Sequence, residues 1–185
     1  MTTGTRGTRS VALLRGINVG GHNRVAMGAL REVLENIGLV GVATYLQSGN
    51  VLFNAARGDR AEVLAARIKD GIAAGLGVDV EVVIRSATEL DDVVGRSPLG
   101  GDPDNPARYF VAFLSGVADP VLAREIESQP LGDNRIWISG AEVFLWCPGG
   151  FSVLGSLSAV EKRLALSATS RNWNTVTRLA SLARA

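Results

Sequence analysis

Two rhythms of apolar and polar residues run along the chain. Ser10–Arg15 carries the unbroken apolar run Val11-Ala-Leu-Leu14, the signature of a buried strand. From Met27 to Ile37 the spacing lengthens, so Leu30, Val33, Leu34 and Ile37 fall on one helical face, and Gly38 is placed to end the helix. Val42–Gln47 and Val51–Asn54 read as strands joined by Ser48-Gly49-Asn50, a tight turn. Asp59 is expected to cap a helix reaching about Ala74, with Leu64, Ile68 and Ile72 on its buried stripe. Val80–Ile84, rich in β-branched residues, reads as a central strand. The order β-α-β-β-α-β is that of the split βαβ, ferredoxin-like arrangement.

The second half replays much of this order. Thr88–Val94 is helical in pattern, and Ser97–Pro106 is a loop rich in Pro, Gly and Asp. Tyr109–Leu114 reads as a strand, and Pro120–Ser128 as a helix with Asp119 as cap and Pro120 in its first turn. Arg135–Ser139 and Glu142–Cys147 alternate around Gly140 as a hairpin, Val153–Leu166 is helical, and a last helix spans about Trp173–Ala183. The expected class is α+β, with two ferredoxin-like subdomains of βαββα type and antiparallel sheets. Residues 1–8 read as a disordered lead-in, 9–98 as the first subdomain, and 99–185 as the second with the terminal helix.

Composition narrows the picture. The 46% hydrophobic and 20% charged fractions are those of an ordinary globular protein. No apolar run approaches the roughly 20 residues of a membrane span. The first nine residues lack the apolar core of a signal peptide, and the lone Cys147 excludes an internal disulfide, so a cytoplasmic setting is expected. A formal net charge of +1 conceals basic ends around an acidic middle: residues 1–58 hold six Arg against Glu32 and Glu35, and residues 162–185 hold no acid. The same distribution also describes ordinary solvated helix faces.

Three polar clusters are the candidates for chemistry. The loop Leu13–Arg24 combines Gly16, Gly20 and Gly21 with Arg15, Asn18, His22 and Arg24, immediately before a helix. Glycines permit close backbone approach, and a helix N-terminus beside arginines suits an anion. No Lys-Ser/Thr follows the glycines, so this is not a phosphate loop of the nucleotide-hydrolase type. The second cluster, Gln47, Ser48 and Asn50, sits at the tip of the first hairpin. Adjacency of the first and third strands would bring it to the rim that carries Asn18. The third cluster, Thr169–Thr175, offers Arg171 as an anion ligand, Trp173 as a stacking surface and Asn174 as a hydrogen-bonding group. Each also has a structural reading: turn chemistry for Gln47–Asn50, and a helix cap (Ser170 or Asn172) with an anchoring Trp173 for the last. His22 lacks a partnered carboxylate and nucleophile, so a catalytic triad is not expected. Asp102-Pro-Asp104-Asn105 is turn chemistry rather than a calcium loop, and no metal site or cofactor is expected. The third strand, Asn50–Asn54, has one aromatic and no basic residue, which disfavours RNA binding on the open sheet face.

The same clusters carry a resemblance. Leu13-Leu-Arg-Gly-Ile-Asn-Val-Gly-Gly21 with Met27 and Leu30-Arg31, Thr44-Tyr-Leu-Gln-Ser-Gly-Asn-Val51 with Phe53, and Arg171-Asn-Trp-Asn-Thr-Val176 closely resemble the bacterial domain-of-unknown-function family 1697. The resemblance covers nearly the whole chain. It implies a cytoplasmic α+β protein of two ferredoxin-like subdomains and no established activity. The Ser-Lys pair usual before the family's penultimate helix is missing, since Phe151–Ser158 contains no lysine.

Two functional expectations follow. One is a binder of a small anionic or nucleotide-like ligand, with charge from Arg15, Arg24 and Arg171 and backbone access at Gly16, Gly20 and Gly21. Asn18, Gln47, Ser48, Asn50 and Asn174 would direct hydrogen bonds. The other is a protein or nucleic-acid interaction module in which these motifs are structural.

Overall fold

The computed structural model describes residues 8–19, 23–100, 103–150 and 156–185. Gly20, Gly21, His22, Asp102 and the start of Phe151–Ser158 lie outside them. The chain order is β1 (Thr8–Leu14), α1 (Met27–Asn36), β2 (Val40–Tyr45), β3 (Asn50–Ala55), α2 (Ala61–Leu76), β4 (Val82–Ser86) and α3 (Ala87–Gly95). It continues with β5 (Tyr109–Leu114), α4 (Pro120–Glu127), β6 (Arg135–Ser139), β7 (Glu142–Trp146), α5 (Ser156–Leu164), β8 (Ala168–Asn172) and α6 (Trp173–Arg184). The protein is α+β, with two four-stranded antiparallel sheets ordered β2-β3-β1-β4 and β6-β7-β5-β8. Each sheet therefore has the ferredoxin-like order. The chain divides into a first unit of Met1–Leu90 with Leu179–Ala185, and a second unit of Asp91–Arg178.

The register shows the repeat that the residues conceal. Val11 lies between Leu52 and Arg85 in the first sheet, as Val111 lies between Phe144 and Arg171 in the second. Because side chains alternate along a strand, one face of each sheet meets its helices and the other carries the second set. In the first unit Ala12, Leu14, Val51, Phe53 and Ile84 pack with Leu30, Leu34, Leu64, Ile68 and Ile72 from α1 and α2. In the second, Ala112, Leu114, Val143, Leu145 and Ala168 pack with Ile126, Val160 and Leu164. The opposite faces are buried as well, through Val11, Leu13, Leu52 and Arg85 in the first unit, and Tyr109, Val111, Phe113, Phe144 and Arg171 in the second.

Several local expectations need correction. β4 is an edge strand, not a central one, and its apolar composition reflects burial on both faces. β8 was hidden in the sequence: Ala168–Asn172 is polar enough to pass for a capping segment, yet it pairs with β5 along its length. Asp59 does not cap α2, because its carboxylate accepts from the Ala56 N–H at 2.9 Å and α2 starts after Arg60. Asp119 does cap α4, accepting from the N–H groups of Val121 (2.8 Å) and Leu122 (3.0 Å). Asn172 caps α6 through the Thr175 N–H at 3.0 Å.

Candidate functional site

The opening loop and the first hairpin turn are tied together from β1 outward. Leu14 N–H donates to Gly49 O at 2.8 Å, continuing the β1–β3 pairing into the turn. Gly49 is needed there on two counts. Its φ is +75°, and a Cβ would stand 2.7 Å from Leu14 Cβ, closer than carbon atoms approach. Beyond β1, Gly16 (φ +69°) and Asn18 (φ +56°) turn the chain through left-handed backbone, which Asn tolerates better than most residues. Ile17 and Val25 anchor the loop in the first core.

Asn18 is the knot. Its Nδ2 donates to Val25 O and to Gln47 O, both at 2.9 Å, and its Oδ1 accepts from Val25 N–H at 2.8 Å. Two carbonyls and one N–H leave only one orientation for the amide. One side chain thus joins both ends of the loop to the hairpin turn. Asn50, fully buried, performs a similar service inside the turn, donating to Tyr45 O (2.9 Å) and Ser48 Oγ (3.0 Å).

The result is an open depression of about 390 Å³ lined by Asn18, Arg24, Val25, Ala26 and Gln47. α1 begins in its wall. The residue before the helix is Ala26, which offers no side-chain cap, and the first turn contains no acid. The first N–H groups of a helix have no partners within it and carry the positive end of its dipole. Arg24 and Gln47 are exposed beside them, as is Arg15 at the strand exit. Val25 and Ala26 were missed as lining residues. The signal available for them was the absence of Ser, Thr, Asp or Asn immediately before the Met27 helix.

The third motif lies in the second unit, and its side chains are mostly internal. Arg171 is buried on β8, and its Nη1 donates to Thr169 Oγ1 (2.9 Å) and Ser170 O (2.8 Å). Burial pushes its guanidinium down to about 10. Trp173 is 2% exposed, with its ring 5.0 Å from that of Tyr109, so it works as core rather than as an open platform. Its indole N–H has no hydrogen-bond partner among the described residues. Asn174 is exposed on α6.

Elsewhere in the second unit, Cys147 is buried and its thiol is pushed up to about 11 by burial. Among the described residues no group of three or more His, Cys, Asp or Glu is placed to hold a metal ion. No helix among them is long and apolar enough to cross a membrane.

Fold and loops together define a protein of two tandem ferredoxin-like units, with a polar depression at the first helix of the first unit. The chain belongs to the family described as protein of unknown function DUF1697, whose profile matches residues 8–144. Among solved structures it is similar to the conserved bacterial protein SP0830 from Streptococcus pneumoniae, at 24% identity and a TM-score of 0.77. That likeness covers 96% of this chain and 99% of the other, and it is one of fold. No curated protein matches the chain.

Proposed function

We infer that the depression at the start of α1 binds a small anion, such as the phosphate of a nucleotide-like ligand. The observation that carries this reading is an uncapped ten-residue helix opening beside Arg24, Gln47 and the Asn18 knot. Arg24 supplies charge, and the free N–H groups of the first turn supply directed donors beside the opening loop. Arg15 and Gly16 stand at the strand exit beside this loop and belong to the same proposal.

Titration of the full chain with inorganic phosphate, followed by amide NMR, tests it. Saturable shifts are expected at residues 24–29 and at the Gln47 side chain, weakening on Arg24→Gln and with added salt. Absence of shifts at millimolar phosphate, or shifts confined to other regions, would defeat the reading.

A second reading, an interaction module held together by its motifs, has its own support. The Asn18 and Asn50 amides bond main-chain groups, and Arg171 and Trp173 are buried. Under that reading Arg24→Gln changes neither stability nor any phosphate response, while Asn18→Ala destabilises the chain.

A further inference from the structure

A second cavity, in the second unit, is built from residues that none of the three motifs contains. Residues following α3 cross the face of the second sheet opposite its helices. Arg96 pairs with the buried Glu142 of β7, and Ser97 Oγ lies 3.0 Å from the Tyr109 hydroxyl of β5. Further along the crossing, Leu99, Pro103 and Asp104 meet Arg135 and Trp146 around a cavity of about 310 Å³. Arg135 and Trp146 are direct cross-strand partners, so their side chains leave the same face.

The charges in this cavity are uncommitted. Neither Asp104 nor Arg135 makes an ion pair or a side-chain hydrogen bond among the described residues, with each other or with any neighbour. The neighbouring Arg96, by contrast, is engaged by Glu142 and by Ser139. A guanidinium fork and a carboxylate facing one cavity, with an indole, a leucine and a proline as its apolar wall, match a ligand that is itself dipolar. The volume sits at the lower end of small-molecule sites, which suits something the size of an amino acid.

We propose that this cavity binds a free α-amino acid with an aromatic or branched apolar side chain. Arg135 takes the carboxylate through paired N–H donors, Asp104 accepts from the ammonium, and the side chain lies on Trp146, Leu99 and Pro103. A nucleotide fits less well, because its phosphate would face Asp104 with Arg135 as the one cation lining the cavity among the described residues. The site is independent of the anion depression in the first unit.

The test is a titration of the full chain with L-phenylalanine, watching the Trp146 indole N–H, which Trp146→Phe distinguishes from Trp137 and Trp173. A saturable millimolar shift is expected. Phenylpropionate and phenethylamine, each lacking one charge, should bind about tenfold more weakly, as should phenylalanine to Asp104→Asn and to Arg135→Gln. Both residues are exposed, so these variants should keep the thermal midpoint of the parent. The proposal is overturned if the indole does not shift at millimolar phenylalanine. It is equally overturned if phenylpropionate or adenosine monophosphate binds as well as phenylalanine, or if both variants bind like the parent.

Discussion

Replacing Asn18 by alanine should cost more than its partly exposed position suggests. The substitution removes two donated bonds and one accepted bond, all between 2.8 and 2.9 Å. At about 1 kcal/mol net for each, the loss is about 3 kcal/mol. Alanine must also hold φ near +56° without the local bonds that favour asparagine there, adding about 1 kcal/mol. Glycine relieves the second cost and not the first, so Asn18→Gly should be about 1 kcal/mol less damaging than Asn18→Ala. Asn18→Asp keeps the acceptor for Val25 N–H but turns a carboxylate toward two carbonyl oxygens, so it should be no better than alanine above the carboxylate range. Urea unfolding at constant m-value measures all three. An Asn18→Ala variant within about 0.5 kcal/mol of the parent, the range of an ordinary surface change, would refute the assignment of Asn18 as the knot.

Gly49→Ala combines left-handed backbone with a Cβ driven against Leu14 at 2.7 Å, so it should lower stability by about 2–4 kcal/mol in the same urea assay. The Cys147 thiol, raised to about 11 by burial, should resist thiol reagents at pH 8 in the native state and react once urea unfolds the chain. Its linkage has a definite sign. Between the ordinary value of 9.0 and about 11 the unfolded thiol loses its proton while the folded one keeps it, so stability falls as pH rises through that window. Cys147→Ala should flatten that limb of the stability–pH curve.

Much of the fold was legible because apolar spacing reports burial directly. Tyr109–Leu114 and Arg135–Ser139 stand where the spacing put them, and the approach of Asn18 to Gln47 followed from the adjacency of the first and third strands. What stayed hidden depended on pairing. Arg171 in Ala168–Asn172 looks like a surface residue until β5 pairs alongside it, and the correspondence of Arg85 with Arg171 exists only in the register. Trp173 shows the same limit for the candidate site. An aromatic beside an arginine and two asparagines suggests a platform, whereas three-dimensional packing buries it against the tilted ring of Tyr109. The depression was half legible: its polar rim is written in Asn18, Arg24 and Gln47, but part of its wall is an uncapped helix start.

The first unit takes its material from both ends of the chain, Met1–Leu90 and Leu179–Ala185, while the second is one continuous stretch. During synthesis the unit begun first therefore lacks its last piece until residues 179–185 have been made, and the intervening unit has all of its residues earlier. Stretches that are contiguous in sequence can fold as they emerge, and the sheet and helices of the first core are one such stretch. The core of that unit, whose buried residues all lie between Ala12 and Ile84, can therefore close before the 179–185 segment is added. A chain cut between Leu90 and Asp91 would keep the whole of that core and lose only the Leu179–Ala185 part of the unit.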